Sequence, residues 1–139
     1  MMSLLSKLFY KKEPESDTIY TGRINLPEQY PDIPRFAENQ NGSGEADFEL
    51  VEDMVQQMLE DPDQFITLSV EKPVHDNVRF VQACRIPEGI NVQLGIGEDT
   101  HTVIVERLCT DEECIRIFRD FYDTLKVEDM EYYTPMQRM

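Results

Sequence analysis

The side chains that most often carry covalent or metal chemistry are few in this chain: Cys84, Cys109 and Cys114, with His75 and His101 as the two histidines. A nucleophilic site needs a thiol or hydroxyl beside a base that a third group orients. His75 falls in the loop-like run Lys72-Pro73-Val74-His75-Asp76-Asn77, and His101 opens a strand-like segment, so spacing places neither beside a cysteine. Cys84 lies in a strand-like run and Cys114 on the apolar side of a helical one, where cysteine behaves as a small hydrophobe. Structural zinc takes four ligands at paired close spacings, whereas Cys109, Cys114 and His101 supply three. Around Asp61 and Asp63 the glycine and closing glutamate of a calcium loop are missing. Gly95-Ile96-Gly97 is followed by no helix bearing Lys-Ser/Thr, so it does not read as a phosphate cradle. The expectation is a chain that is not an enzyme and takes no metal or cofactor.

What the chain has in abundance is carboxylate. It carries 28 acidic and 13 basic residues, a formal net charge of -15. Phosphate backbones bind through Lys and Arg that displace counterions, so direct nucleic-acid binding is not expected. A field of this sign attracts and orients a basic protein instead. From Phe36 to Glu71 there are ten acidic residues and no basic one. Glu49, Glu52, Asp53, Glu60, Asp61 and Asp63 are the candidate partner-binding residues within that stretch. The same pattern also fits a solvated helix face whose charge serves solubility alone.

Two amphipathic helices and a run of strands must position these groups. Placed at 100° per residue, Phe48, Val51, Met54, Val55, Met58 and Leu59 share one arc of a helix spanning 47–60. Glu49, Glu52, Asp53, Gln56, Gln57 and Glu60 fall opposite, and Asp61-Pro62 stops the helix. Strand patterns follow over 65–70, 78–85, 90–96 and 101–108, with connections at Pro87-Glu88-Gly89 and Gly97-Glu98-Asp99-Thr100 short enough for hairpins. Thr110 and Glu113 have capping-box spacing for a second helix, which buries Cys114, Ile117, Phe118, Phe121, Tyr122 and Leu125 and runs to about Leu125. The segment 127–139 reads as an irregular close anchored by Tyr132 and Tyr133. The fold expected is α+β, a two-layer domain with an antiparallel meander of about four strands packed against two amphipathic helices.

The packed domain is expected over 45–139, preceded by a tail and proline-containing extended segment over 1–44. In that segment Leu4, Leu5, Leu8 and Phe9 with Lys7, Lys11 and Lys12 form a short amphipathic turn, which docks, frays or touches a membrane surface. Thr18-Ile19-Tyr20-Thr21 favours a short strand; Pro27, Pro31 and Pro34 favour an extended wrap with Tyr30, Ile33 and Phe36 turned inward. Asn41-Gly42-Ser43-Gly44 reads as a flexible joint. Lys7 interrupts the apolar start, no small-residue cleavage site follows, and no stretch approaches the ~18 apolar residues of a membrane span. Three cysteines at unpaired spacings form no disulfide framework, so a reduced cytoplasmic setting is expected.

The order of elements, with Phe80-Val81-Gln82 closing one strand and Phe118-Arg119-Asp120-Phe121-Tyr122 on the last helix, resembles small acidic immunity proteins of bacterial polymorphic toxin systems and similar single-domain bacterial proteins. The resemblance covers about 47–134. It implies neutralisation of a co-encoded cationic toxin by direct binding. An acidic secretion chaperone or adaptor, with a homodimer holding an extended client, is the alternative.

Overall fold

The computed structural model describes residues 33–136. The amphipathic turn, the strand at Thr18-Ile19-Tyr20-Thr21, and Tyr30, Pro27 and Pro31 lie outside the described residues. Within them, eight basic residues stand against 23 acidic ones, so this part alone accounts for the acidic excess of the chain.

Helix α1 (Phe48–Glu60) starts where Asp47, in extended conformation, accepts a hydrogen bond from the Leu50 amide at 2.9 Å. Val51, Met54, Val55, Met58 and Leu59 are buried along it, and Phe48, half-buried, meets the Tyr122 ring edge-on at 5.5 Å. Helix α2 (Asp111–Thr124) starts with a reciprocal cap. The Glu113 amide donates to Thr110 Oγ1 at 3.2 Å, and the Thr110 amide donates to Glu113 Oε1 at 2.8 Å. Leu125 ends the helix in the left-handed region at φ 57, its amide donating to the Phe121 carbonyl. A cap contributes about 1 kcal/mol, whereas burying one large apolar side chain contributes about 1.5–3 kcal/mol. The apolar faces therefore hold both helices to the sheet, and the caps set where the helices begin.

Among the described residues the sheet has seven strands, all antiparallel, in the order β2-β1-β3-β4-β5-β6-β7. They are β1 (Phe36–Asn39), β2 (Gly42–Glu45), β3 (Phe65–Ser69), β4 (Val78–Ile86), β5 (Gly89–Ile96), β6 (Val103–Cys109) and β7 (Thr134–Pro135). The α+β class is as expected, and β3 to β6 are the meander of four; the strand count is corrected to seven. Asn41-Gly42-Ser43-Gly44 belongs to a hairpin rather than a loose joint: Gln40-Asn41 form its turn, the Asn41 amide donates to Asn39 Oδ1 at 2.9 Å, and Gly42, opening β2, takes φ 145, which a side chain would strain. Strand β2, Gly-Ser-Gly-Glu, has no strand propensity of its own and exists through its pairing with β1. This hairpin runs across the 44/45 boundary expected from the sequence. Phe36 is corrected as well: it is 38% exposed, while Ile33 is half-buried. Tyr133 is buried as an anchor and Tyr132 is not, at 59% exposure.

The two faces of the sheet differ in chemistry. Toward the helices, Leu68, Val81 and Leu94 form a buried cross-strand row with Ile66, Ala83 and Val92 beside it. On the other side, Thr67, Gln82, Gln93 and Glu106 form one row, and Ser69, Phe80, Gly95 and Ile104 the next. A Cβ on Gly95 would overlap the Phe80 ring, so that ring lies over the strand only because the residue is glycine. Gly95→Ala should cost about 1–2 kcal/mol by driving the ring away. In a Phe80→Ala background the same change should cost under about 0.5 kcal/mol, since no ring remains to displace. Urea unfolding of the four variants measures both.

Candidate functional site

The cysteines and histidines end up apart. His75, in a single 3-10 turn (His75–Asn77), and His101, in the exposed connection before β6, lie at one end of the sheet, where the Gly97 amide donates to the Asn77 carbonyl. Cys84 and Cys109 lie near the other end, six residues along β4 and β6, or about 20 Å at strand rise. Burial and the Lys126 charge lower the His75 pKa, with Asp76 opposing them. Cys114 is fully buried in α2, and burial pushes its thiol up to about 12, far from a thiolate. Among the described residues, no group of three or more His, Cys, Asp and Glu side chains is arranged to hold a metal ion.

Four of the six described arginines, Arg35, Arg79, Arg85 and Arg107, are buried or half-buried. Arg85, on the helix side of β4, donates from Nε to the Leu59 carbonyl at 2.8 Å and from Nη2 to Asp111 Oδ1 at 2.9 Å. It thereby joins the carbonyl end of α1 to the first residue of α2, where a cation meets the negative end of one helix and an acid of the other. Arg107 pairs with Glu113 Oε2 at 3.1 Å beneath the rings of Tyr132 and Tyr133. Arg35, 8% exposed, donates to the carbonyls of Tyr122 at 2.9 Å and Ile33 at 2.7 Å; burial lowers its pKa. Arg79 binds the Gly97 carbonyl and Thr102 Oγ1. Five of the eight described basic side chains, Arg119 included, bond to other groups of the domain, and Lys72, Arg116 and Lys126 stand exposed among a larger number of acids.

The predicted site residues divide accordingly. Glu49, Asp53 and Glu60 are exposed on α1 at spacings that align them along its outer side. Asp63 is also exposed, and Asp61, half-buried, accepts from the Asp63 amide at 2.9 Å. Glu52 is turned to a different task. Its carboxylate takes both Arg119 Nε at 2.8 Å and Nη2 at 3.1 Å, a forked pair that joins α1 to α2. Glu49, in the first turn, suits the helix dipole, but Glu60 is ill placed for it: the last turn holds no basic residue, and Glu60 stands at its negative end. Such placement costs a few tenths of a kcal/mol, roughly 0.3–1.

A second concentration of acid lies on α2. Burial pushes Asp120 up to about 6, with Glu128 and Asp123 adding to the rise and Arg116 opposing it. Between the ordinary aspartate value of 3.8 and about 6, the folded state holds this proton and the unfolded chain does not. Stability from this group therefore falls as pH rises through that window. Asp120→Asn removes the charge and should raise stability at pH 7.5, with no gain at pH 4. Partial exposure of the site limits the gain to about 1–2 kcal/mol. Thermal melts of both proteins at the two pH values test it.

No helix among the described residues is long and apolar enough to cross a membrane. Comparison of the chain with protein-family models, curated proteins and solved structures finds no match.

Proposed function

We propose that the chain is a non-catalytic, acidic protein-binding domain of the cytoplasm whose partner is a basic protein. The observation that carries this reading is the division of charge: four of the six described arginines, Arg35, Arg79, Arg85 and Arg107, are drawn into bonds within the domain, while Glu49, Asp53 and Glu60 stand outward on α1. A helix gains nothing from Glu60 at its carbonyl end, so the surface charge there is explained by what it attracts. Glu49, Asp53, Glu60, Asp61 and Asp63 form the contact, and Glu52 supports it by locking α1 against α2.

Affinity capture from the source-cell lysate, at about 0.05 M and at about 0.5 M salt, tests the proposal, because screening shortens the reach of surface charge from over 10 Å to a few ångströms. A basic protein retained at low salt and released at high salt supports it. Retention of acidic proteins alone, or of none, rejects it. A toxin as the retained protein would make the domain an immunity protein. An unfolded secreted client would make it a chaperone.

A further inference from the structure

We infer that the side of the sheet opposite α1 and α2 is a second protein-docking surface, fitted to a partner patch with an apolar and amide centre framed by Lys and Arg. For the sign of that frame it rests on the basic-partner reading. On this side β3, β4 from Phe80 onward and β5 present no charged side chain, in a chain that is 29% charged. A sheet face kept only for solvation carries long charged groups; the centre of an interface is depleted of them.

The polar groups at the centre are already ordered. Thr67 Oγ1 donates to Gln82 Oε1 at 3.1 Å, Gln82 Nε2 donates to Gln93 Oε1 at 2.6 Å, and Gln93 Nε2 donates to Met136 Sδ at 3.3 Å. Each amide nitrogen keeps a second N–H for a ligand, and the ordering cost of presenting it is already met within the fold. Apolar groups flank this row: the Phe80 ring over Gly95, with the Arg79 guanidinium 5.3 Å from its centroid, Phe36 at 38% exposure and Leu108 at 54%. Acids appear only toward the margins, Glu38 on β1, Glu45 on β2 and Glu106 on β6. A neutral, partly aromatic centre inside an acidic margin is the anatomy of a protein interface, and the margin specifies cations opposite it. A second copy of this chain is the wrong occupant, because it would set Glu38, Glu45 and Glu106 against the same acids on a molecule of net charge -15.

The test places the photo-crosslinking residue p-benzoylphenylalanine at Gln93 in one full-length protein and at Asp53 in another, each produced in the source cell and checked for an unchanged melting curve. The expected result is that position 93 captures a protein whose crosslinked segment carries Lys or Arg beside apolar residues. The purified partner should then bind Gln82→Lys at least tenfold more weakly than the parent. Capture at position 53 with none at 93 overturns the sheet surface and leaves the basic-partner reading intact; capture at neither position removes both. Crosslinks at 93 to a second copy, to an acidic segment, or to a partner that binds Gln82→Lys as tightly as the parent also overturn it.

Discussion

Phe121→Ala is expected to destabilise the domain by about 3–5 kcal/mol. Phe121 is fully buried, with Phe118, on the apolar side of α2, the helix that packs on β4, β5 and β6. Truncation removes the transfer free energy of the ring and leaves a cavity that the flanking strands, fixed by their ladders, cannot close. Its carbonyl also accepts the Leu125 amide that ends the helix, but alanine keeps that bond, so the loss reads packing alone. Urea unfolding measures it; a loss under about 1 kcal/mol would mean that α2 docks by another face.

Arg85→Ala is expected to cost about 2–3 kcal/mol, more than a surface ion pair would suggest. The side chain is 29% exposed and holds two helices at once, through the Leu59 carbonyl and Asp111. Removing it takes a cation from the carbonyl end of α1 and leaves the Leu59 oxygen without this donor. Asp111→Asn, which keeps the Leu59 bond and weakens the other, should cost under about 1 kcal/mol. Equal losses in the two variants would show that the Asp111 pair, rather than the helix-end bond, holds the junction.

The parts of the fold governed by local pattern were legible. Thr110 and Glu113 announced the second helix, and the 100° arc from Phe48 to Leu59 announced the first. Strict alternation from Ile90 to Ile96 announced β5. Strands β2 and β7 were not legible, because Gly-Ser-Gly-Glu and Thr-Pro hold strand geometry through their neighbours and carry no propensity for it. In the candidate site, the helical period put Glu49, Asp53 and Glu60 outward as found. It also put Glu52 outward, since its partner Arg119 lies 67 residues away and only the packing of α1 on α2 brings them together. The face free of charge stayed hidden for the same reason: each strand shows an unremarkable wet side, and only the register across β3, β4 from Phe80 onward and β5 reveals that these stretches bring no charge to it.

The central claim, that the acids of α1 attract a basic partner, is tested most directly by association kinetics with the captured partner. The comparison is between Glu49, Asp53 and Glu60 reversed to lysine and Glu88, Glu98 and Glu131 reversed to lysine, all six being exposed and the change in net charge identical. At about 0.15 M salt the α1 variant should associate at least ~10-fold more slowly than the parent, with dissociation changed less than ~3-fold, and the deficit should shrink as salt rises. The matched variant should lose less than ~3-fold. Equal losses in both variants, or association at the parental rate in both, would contradict the claim and leave the charge of α1 with no task beyond solubility.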